Sequence, residues 1–219
     1  MRSMAGQRMI KGVLHRIVAN PYVYNTVQFL VGARYVRRHF HAQVAPAHSA
    51  AFVLDVGGGT GINRGLWPAT CTYVCLDTDP VKLSGFLRAY PDDIAVRGDA
   101  TRVPIKTSSV DAVVCSAVSH HIPDDLLPSL ITESIRSLKP GGRFIFFDAV
   151  WEPSRWTGRL LWKYDRGSYP RTKGSLKTLI GSHCTIIHWQ EINIFHKYIL
   201  CTGTKIGIVS DSAGGIDSV

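Results

Sequence analysis

From Ala51 onward the chain alternates short apolar runs with amphipathic stretches. Phe52-Val53-Leu54-Asp55-Val56 is a β-rich run that ends in Gly57-Gly58-Gly59-Thr60-Gly61, which reads as a buried strand entering a tight loop. A compact helix is expected from Ile62 to Trp67, cut short by Pro68. A second apolar run, Tyr73 to Leu76, ends at Asp77, and Asp79-Pro80 then opens a helix through about Tyr90, with Pro80 suited to the first turn. Further strands are predicted at Ile94 to Val96, Ala112 to Cys115 and Arg143 to Phe147, the last after the turn Lys139-Pro140-Gly141-Gly142. Between the fourth and fifth, Asp124 to Leu138 carries leucine or isoleucine at 126, 127, 130, 131, 135 and 138, the spacing of one helical face. This order predicts an α/β fold, a doubly wound, mostly parallel sheet joined by right-handed crossovers with helices on both faces.

Beyond Trp151 the pattern changes. Residues 151–173 are crowded with Trp151, Trp156, Trp162, Tyr164, Tyr169 and six basic side chains. Thr185 to Trp189 and Tyr198 to Thr204 read as strands with too few residues between them for a crossover helix, so they should pair antiparallel at one sheet edge. The last stretch, 206–219, is small, polar and glycine-containing, and disorder is expected there. One domain is predicted over 1–205: a helical lid at 1–45, a ligand-binding core at 46–150, an acceptor-side insertion at 151–180 and a strand pair at 181–205. Burial of roughly 70% of the unfolded surface, the scaling for this size, supports one sizeable core in 219 residues.

Charge and cysteine usage refine the picture. The net charge of +9 divides into +7 over residues 1–54, −2 over 55–148 and +4 over 149–219, so the basic surplus flanks the core. Such flanks suit an anionic partner: nucleic acid, a phospholipid surface or an acidic small molecule. Five cysteines, without a C-x-x-C pair and mostly inside apolar runs, read as reduced thiols of a cytoplasmic protein. No apolar run has the length of a membrane span, and Lys11, His15 and Arg16 stand where a signal peptide needs its apolar segment, so export is not expected.

In open α/β sheets ligands bind beyond the carboxyl ends of the strands, which here means the glycine loop. A dinucleotide fingerprint starting at Gly57 would need glycine or alanine where this chain has Ile62, so the loop is a poor pyrophosphate binder. Three acids follow at successive strand ends: Asp55, Asp77 and Asp99. Carboxylates converging on one crevice repel one another unless a cationic or donor-rich ligand lies among them, which points to a cationic nucleoside.

Leu54-Asp55-Val56-Gly57-Gly58-Gly59-Thr60-Gly61, Asp77, Gly98-Asp99-Ala100, Val110 to Ser116 leading to His120-His121-Ile122, and Leu138-Lys139-Pro140-Gly141-Gly142 occur in an order that resembles class I S-adenosylmethionine-dependent methyltransferases of the small-molecule type. The resemblance covers about residues 50–150 and implies a Rossmann-like seven-stranded sheet whose last strand is inserted antiparallel. It implies S-adenosyl-L-methionine as cofactor. Gly57 and Gly59, with Thr60 beside them, would let the methionine and ribose approach the loop, with Asp55 near the ammonium. Asp77 and the adjoining Thr78 would lie at the ribose hydroxyls, Asp99 and Ala100 at the adenine, and Ser116 beside the methionine.

The sulfonium is an activated donor, so positioning of the nucleophile and exclusion of water should dominate the rate. His121, with His120 as second candidate, stands where a base could deprotonate an oxygen or nitrogen acceptor. Ser116-Ala117-Val118-Ser119 occupies the place where amino-directed nucleic-acid methylators carry a Pro-Pro-aromatic platform, so a nucleic-acid acceptor is disfavoured. Asp148 stands alone after the fifth strand, and no metal is expected. Tyr24 and Gln28, four residues apart, could close a lid onto the cofactor. Arg166 and Arg171 could grip an anionic group of the acceptor while Trp151 and Tyr169 supply wall. The expected function is metal-independent methyl transfer to a small or lipid-like, anionic acceptor. An RNA methyltransferase and a non-catalytic cofactor-binding accessory protein are the alternatives. Peripheral membrane contact is compatible with the basic flanks.

Overall fold

The computed structural model describes residues 38–47, 49–155, 158, 162, 169–194 and 196–205. Seven strands form one sheet: β1 (Phe52–Val56), β2 (Thr72–Asp77), β3 (Ile94–Arg97), β4 (Val110–Ser116), β5 (Leu138–Val150), β6 (Thr185–Asn193) and β7 (Lys197–Thr204). Their order is β3-β2-β1-β4-β5-β7-β6. Neighbours from β3 to β5 run parallel, whereas β7 is antiparallel to both β5 and β6 and so is inserted between them. The crossovers reverse between β1 and β4, which opens a crevice at the carboxyl ends of those strands.

The strand pleat divides the core. Leu54, Val56, Val74, Leu76, Val113, Cys115, Phe144 and Phe146 face one side, where α2 (Leu127–Ser137) packs through Leu130 and Ile131, and α3 (Lys173–Gly181) through Leu176 and Ile180. Val53, Tyr73, Cys75, Ala112, Val114, Ile145 and Phe147 face the other, covered by Leu83 and Phe86 of α1 (Pro80–Ala89) and by Phe40 and Val44 of a helical stretch at 38–44. Both faces are buried, which is why the central strands read as continuous apolar runs.

α1 starts where expected, with Pro80 in its first turn and the Asp79 carboxylate accepting from the N–H groups of Val81 and Lys82. Three sequence expectations are corrected. The helix expected over Ile62 to Trp67 is only a 3₁₀ turn at Arg64–Leu66, because Asn63 is held by Asp55 while Arg64 Nη1 donates forward to the carbonyls of Trp67 and Pro68. α2 begins at Leu127 instead of Asp124: the preceding residues form a turn onto the Pro123 carbonyl, and a proline occupies the helix's first turn. The Lys139-Pro140-Gly141-Gly142 turn lies within β5, not before it. Pairing with β4 runs Val110 to Leu138 and resumes at Ala112 to Arg143, so these residues bulge from the ladder, with Gly141 at φ 73°.

Of the expected lid at 1–45 only 38–45 is described, and Tyr24 and Gln28 fall outside the described residues, as do Arg166 and the tail 206–219.

Candidate active site

The crevice is built from the first loop upward. Gly57, Gly59 and Gly61 have φ of 68°, 58° and 80°, a region costly for residues bearing a Cβ. At Gly57 a Cβ would lie 2.3 Å from Val118 Cγ2, so the loop is pressed against the end of β4. Gly59 differs: its missing Cβ would face Lys82 Cδ at 3.6 Å and Asp77 Oδ2 at 3.8 Å. The loop is therefore bare backbone on the side that faces Asp77, a cradle that a side chain would fill. Thr60 and Thr78 are exposed on either side of it.

The three strand-end acids have different surroundings. Asp55 is fully buried beneath the loop, where its Oδ2 accepts from Tyr73 Oη at 2.6 Å and both oxygens lie 3.3 Å from Asn63 Nδ2. Burial pushes its carboxyl up to about 7, against the opposing Tyr73 and Asn63 hydrogen bonds and with help from the charge of Asp77. Asp77 is also buried, but its two oxygens accept from the Gly59 N–H at 3.0 Å and the Asp79 N–H at 2.9 Å, which aims the carboxylate across the cradle. Asp99 is exposed at the end of β3 and caps the next turn by accepting from Thr101 N and Oγ1. Ala100 behind it is buried. Asp77, Asp99, Gly57, Gly59 and Ser116 lie at or just beyond the carboxyl ends of β1 to β4, and among them the Asp77–Gly59 hydrogen bond is a direct contact, whereas Asp55 lies under the loop.

At the end of β4 the chain turns sharply. Ala117, exposed, has φ 56°, rare for a residue with a Cβ, and its N–H donates to the Phe147 carbonyl. A 3₁₀ turn at Ser119–His121 follows. Asp148, expected to stand alone, is instead the centre of this turn. It lies within β5, fully buried; its Oδ1 is 2.6 Å from His120 Nδ1 and accepts from the Ala149 N–H, while Oδ2 accepts from Ser119 Oγ at 2.5 Å and the His120 N–H at 3.3 Å. Burial opposes its ionisation, but the hydrogen bonds from His120, Ser119 and Ala149 prevail and hold the carboxyl below its ordinary value. The sequence contains a signal for this partnership only in hindsight: Asp148 pairs in register with Ile199, which puts it on the face of the sheet that the Ser119–His121 turn covers.

His120 is buried and His121 exposed, their ring centroids 4.1 Å apart. From His120 a chain of rings that the sequence did not reveal leads through Trp162 and His196 to Tyr198 and Phe147. Trp162 meets His120 and His196 edge-on at 6.0 and 5.2 Å, and Tyr198 stacks on Phe147 at 5.1 Å. Trp151 and Tyr169 are half-buried beside this region and are held by backbone bonds, Trp151 N to the Arg171 carbonyl and Tyr169 N to the His120 carbonyl. Arg171, expected to grip an acceptor anion, faces the turn instead: its Nε donates to Asp124, its Nη1 to the Ser119 carbonyl and its Nη2 to the Ile122 carbonyl. Among the described residues, no three His, Cys, Asp or Glu side chains gather as a metal ion would require, and no helix is long and apolar enough to cross a membrane.

Residues 54–146 match the family described as "Methyltransferase domain". Curated relatives include a phthiotriol/phenolphthiotriol dimycocerosates methyltransferase of Mycobacterium leprae, 33% identical over 109 residues, covering 50% of this chain and 38% of that protein. A thiol S-methyltransferase of Rattus norvegicus is 29% identical over 126 residues, covering 51% of this chain and 47% of that protein. The chain therefore spans less than half the length of these relatives. Among solved structures, a 1,6-didemethyltoxoflavin-N1-methyltransferase of Burkholderia thailandensis, with bound 1,6-didemethyltoxoflavin and S-adenosylhomocysteine, superposes with a TM-score of 0.62 at 16% identity, covering 84% of this chain and 87% of that one, which establishes the shared fold. Motif order, strand order with the inserted antiparallel β7 and the family match point the same way: residues 54–146 match the methyltransferase domain, and the sheet has the fold of the solved methyltransferase structure.

Proposed function

We propose that the protein transfers the methyl group of S-adenosylmethionine in line to an oxygen or nitrogen of a small or lipid-like acceptor, without a metal, in the cytoplasm. The observation that carries this reading is the adjacency of two structures at one end of the sheet: the bare backbone at Gly59 facing Asp77, and the Asp148-bonded His120 at the ends of β4 and β5. When bound, the cofactor supplies a methyl group already activated on sulfur.

Gly59 leaves room for the methionine and ribose, while Gly57 lets the loop close against Val118, with Thr60 and Thr78 at the rims. Asp77 holds the ribose hydroxyls, Asp99 and Ala100 flank the adenine, and Ser116 lies beside the methionine. Asp55, from beneath the loop, favours the ligand's cationic portion when ionised. On the acceptor side, Asp148 fixes the ring of His120 with the proton on Nδ1, so Nε2 is the nitrogen that takes a proton from the acceptor, a contribution on the order of 10²–10⁴ in rate. His121, on the exposed side of the same turn, lines the acceptor's approach. Trp162, edge-on to His120, supplies an apolar surface that suits an acceptor with a hydrophobic part. The name of the mycobacterial relative, a methyltransferase of phthiotriol and phenolphthiotriol dimycocerosates, favours the lipid-like class, while the thiol S-methyltransferase makes sulfur the competing acceptor atom. Five free, buried cysteines fit a reducing compartment.

Thermal unfolding with and without S-adenosylmethionine tests the cofactor half: at about 100 times its dissociation constant the ligand adds about 2.7 kcal/mol of stability, and Asp77→Ala abolishes most of that gain. An unshifted melting curve at saturating cofactor would refute the reading. Release of S-adenosylhomocysteine over a panel of hydroxylated lipids, amines, thiols and RNA tests the transfer half. Turnover with RNA alone would install the nucleic-acid alternative, and cofactor binding with no turnover on any class would favour an accessory protein.

A further inference from the structure

Resting on the methyl-transfer reading with His120 as base, we infer that Arg171 is a positioning residue, which holds the Ser119–Ile122 turn so that the His120 imidazole stays on Asp148. The guanidinium is buried, and three of its nitrogens each have a separate anchor: Nη1 donates to the Ser119 carbonyl at 2.6 Å, Nη2 to the Ile122 carbonyl at 2.5 Å and Nε to Asp124 Oδ1 at 2.8 Å. These acceptors bracket His120 on both sides in the chain. The fork geometry of arginine is what allows one side chain to tie three points, and lysine's single ammonium cannot reproduce it.

The neighbouring backbone extends the clamp. Tyr169 N donates to the carbonyl of His120 itself at 3.1 Å, and Trp151 N donates to the carbonyl of Arg171 at 2.7 Å, so the end of the 151–172 segment is tied to both the turn and the exit of β5. The turn is otherwise short of internal support. Its 3₁₀ helix has three residues and no side-chain cap, and it follows Ala117 in the left-handed region. The Asp148 bond demands a fixed ring position, because a carboxylate 2.6 Å from Nδ1 tolerates little drift before the bond is lost. The imidazole meets Asp148, His121 and Trp162, and Ser119 bonds the other oxygen of the same Asp148 carboxylate.

Imidazole ¹⁵N spectroscopy on histidine-labelled full-length protein tests this, with His120→Gln used to assign the His120 resonances and S-adenosylhomocysteine binding by calorimetry as the check on the fold. The wild type is expected to show one tautomer at His120, protonated on Nδ1. Asp148→Asn should abolish that signature; if it does not, the base reading fails, whatever Arg171 does. With the dyad established, Arg171→Gln and Arg171→Ala should retain nucleoside affinity yet lose the single-tautomer signal and alter the His120 titration, while Arg171→Lys recovers it only in part. Free guanidinium ion at sub-denaturing concentration should restore the signal in Arg171→Ala. Unaltered His120 resonances in folded Arg171 variants would overturn the positioning role alone. Should the Arg171 variants fail to fold, Asp124→Ala decides: its carboxylate is exposed, its loss releases one anchor, and His120 signals that do not move in it would overturn the proposal.

Discussion

Asp55→Asn isolates an unusual pH dependence. Asp55 is fully buried under the glycine loop, and burial lifts its carboxyl from the ordinary 3.8 to about 7. In the folded chain the group therefore keeps its proton across a range where the unfolded chain has released it. The stabilisation from that bound proton is complete below about pH 4 and is lost as pH rises through about 7. A shift of about three units corresponds to about 4 kcal/mol at full span, of which about 3 kcal/mol falls between pH 5 and 8. Asparagine has nearly the same shape, can still accept from Tyr73 Oη and does not titrate, so the variant should lack this loss. The assay is urea unfolding of both proteins at intervals from pH 5 to 8, read as the difference between their stabilities. That subtraction removes Asp148, Asp111 and Glu133, whose lowered values place their losses at acid pH instead. Wild type should weaken relative to the variant by about 3 kcal/mol as pH rises. Parallel profiles would refute the reasoning and mean that Asp55 is ionised throughout.

Two further perturbations examine the loop and the turn. Gly57→Ala combines left-handed strain of about 1–2 kcal/mol with an overlap onto Val118 of about 1–3 kcal/mol, so a loss of about 2–5 kcal/mol is expected; a double-mutant cycle with Val118→Ala should recover the overlap part, and strictly additive costs would deny the contact. Ala117→Gly relieves an exposed residue at φ 56° and should stabilise by about 0.5–1 kcal/mol, seen as a Tm rise of about 1–4 °C, whereas a fall in Tm would contradict the strain.

Much of the architecture was legible along the chain because both faces of the central strands are buried, which makes β1, β2, β4 and β5 stand out as apolar runs separated by turn residues. The cradle was legible for a similar reason: its glycines announce a backbone conformation that other residues resist. Element ends were less so. The bulge in β5 and the late start of α2 depend on pairing register and on where a proline can sit, neither of which the local pattern encodes.

Local order along the polypeptide was sufficient to establish the strand sequence, the bare loop and the acids at the strand ends, since each depends on neighbours a few residues away. The identity of each acid's partners was decided only by folding. Asp55 and Asp77 both stand near strand ends, yet one, level with Cys75 inside the sheet, is sealed under Tyr73 and Asn63 and the other, at the last residue of β2, aims across the cradle. Asp148 and His120 are 28 residues apart in sequence and meet because β4 and β5 are adjacent, and Arg171 reaches the Ser119 carbonyl across 52 residues. A hydrogen bond depends on direction and on distances of tenths of an ångström, and those are properties of the packed sheet, which no spacing along the chain specifies.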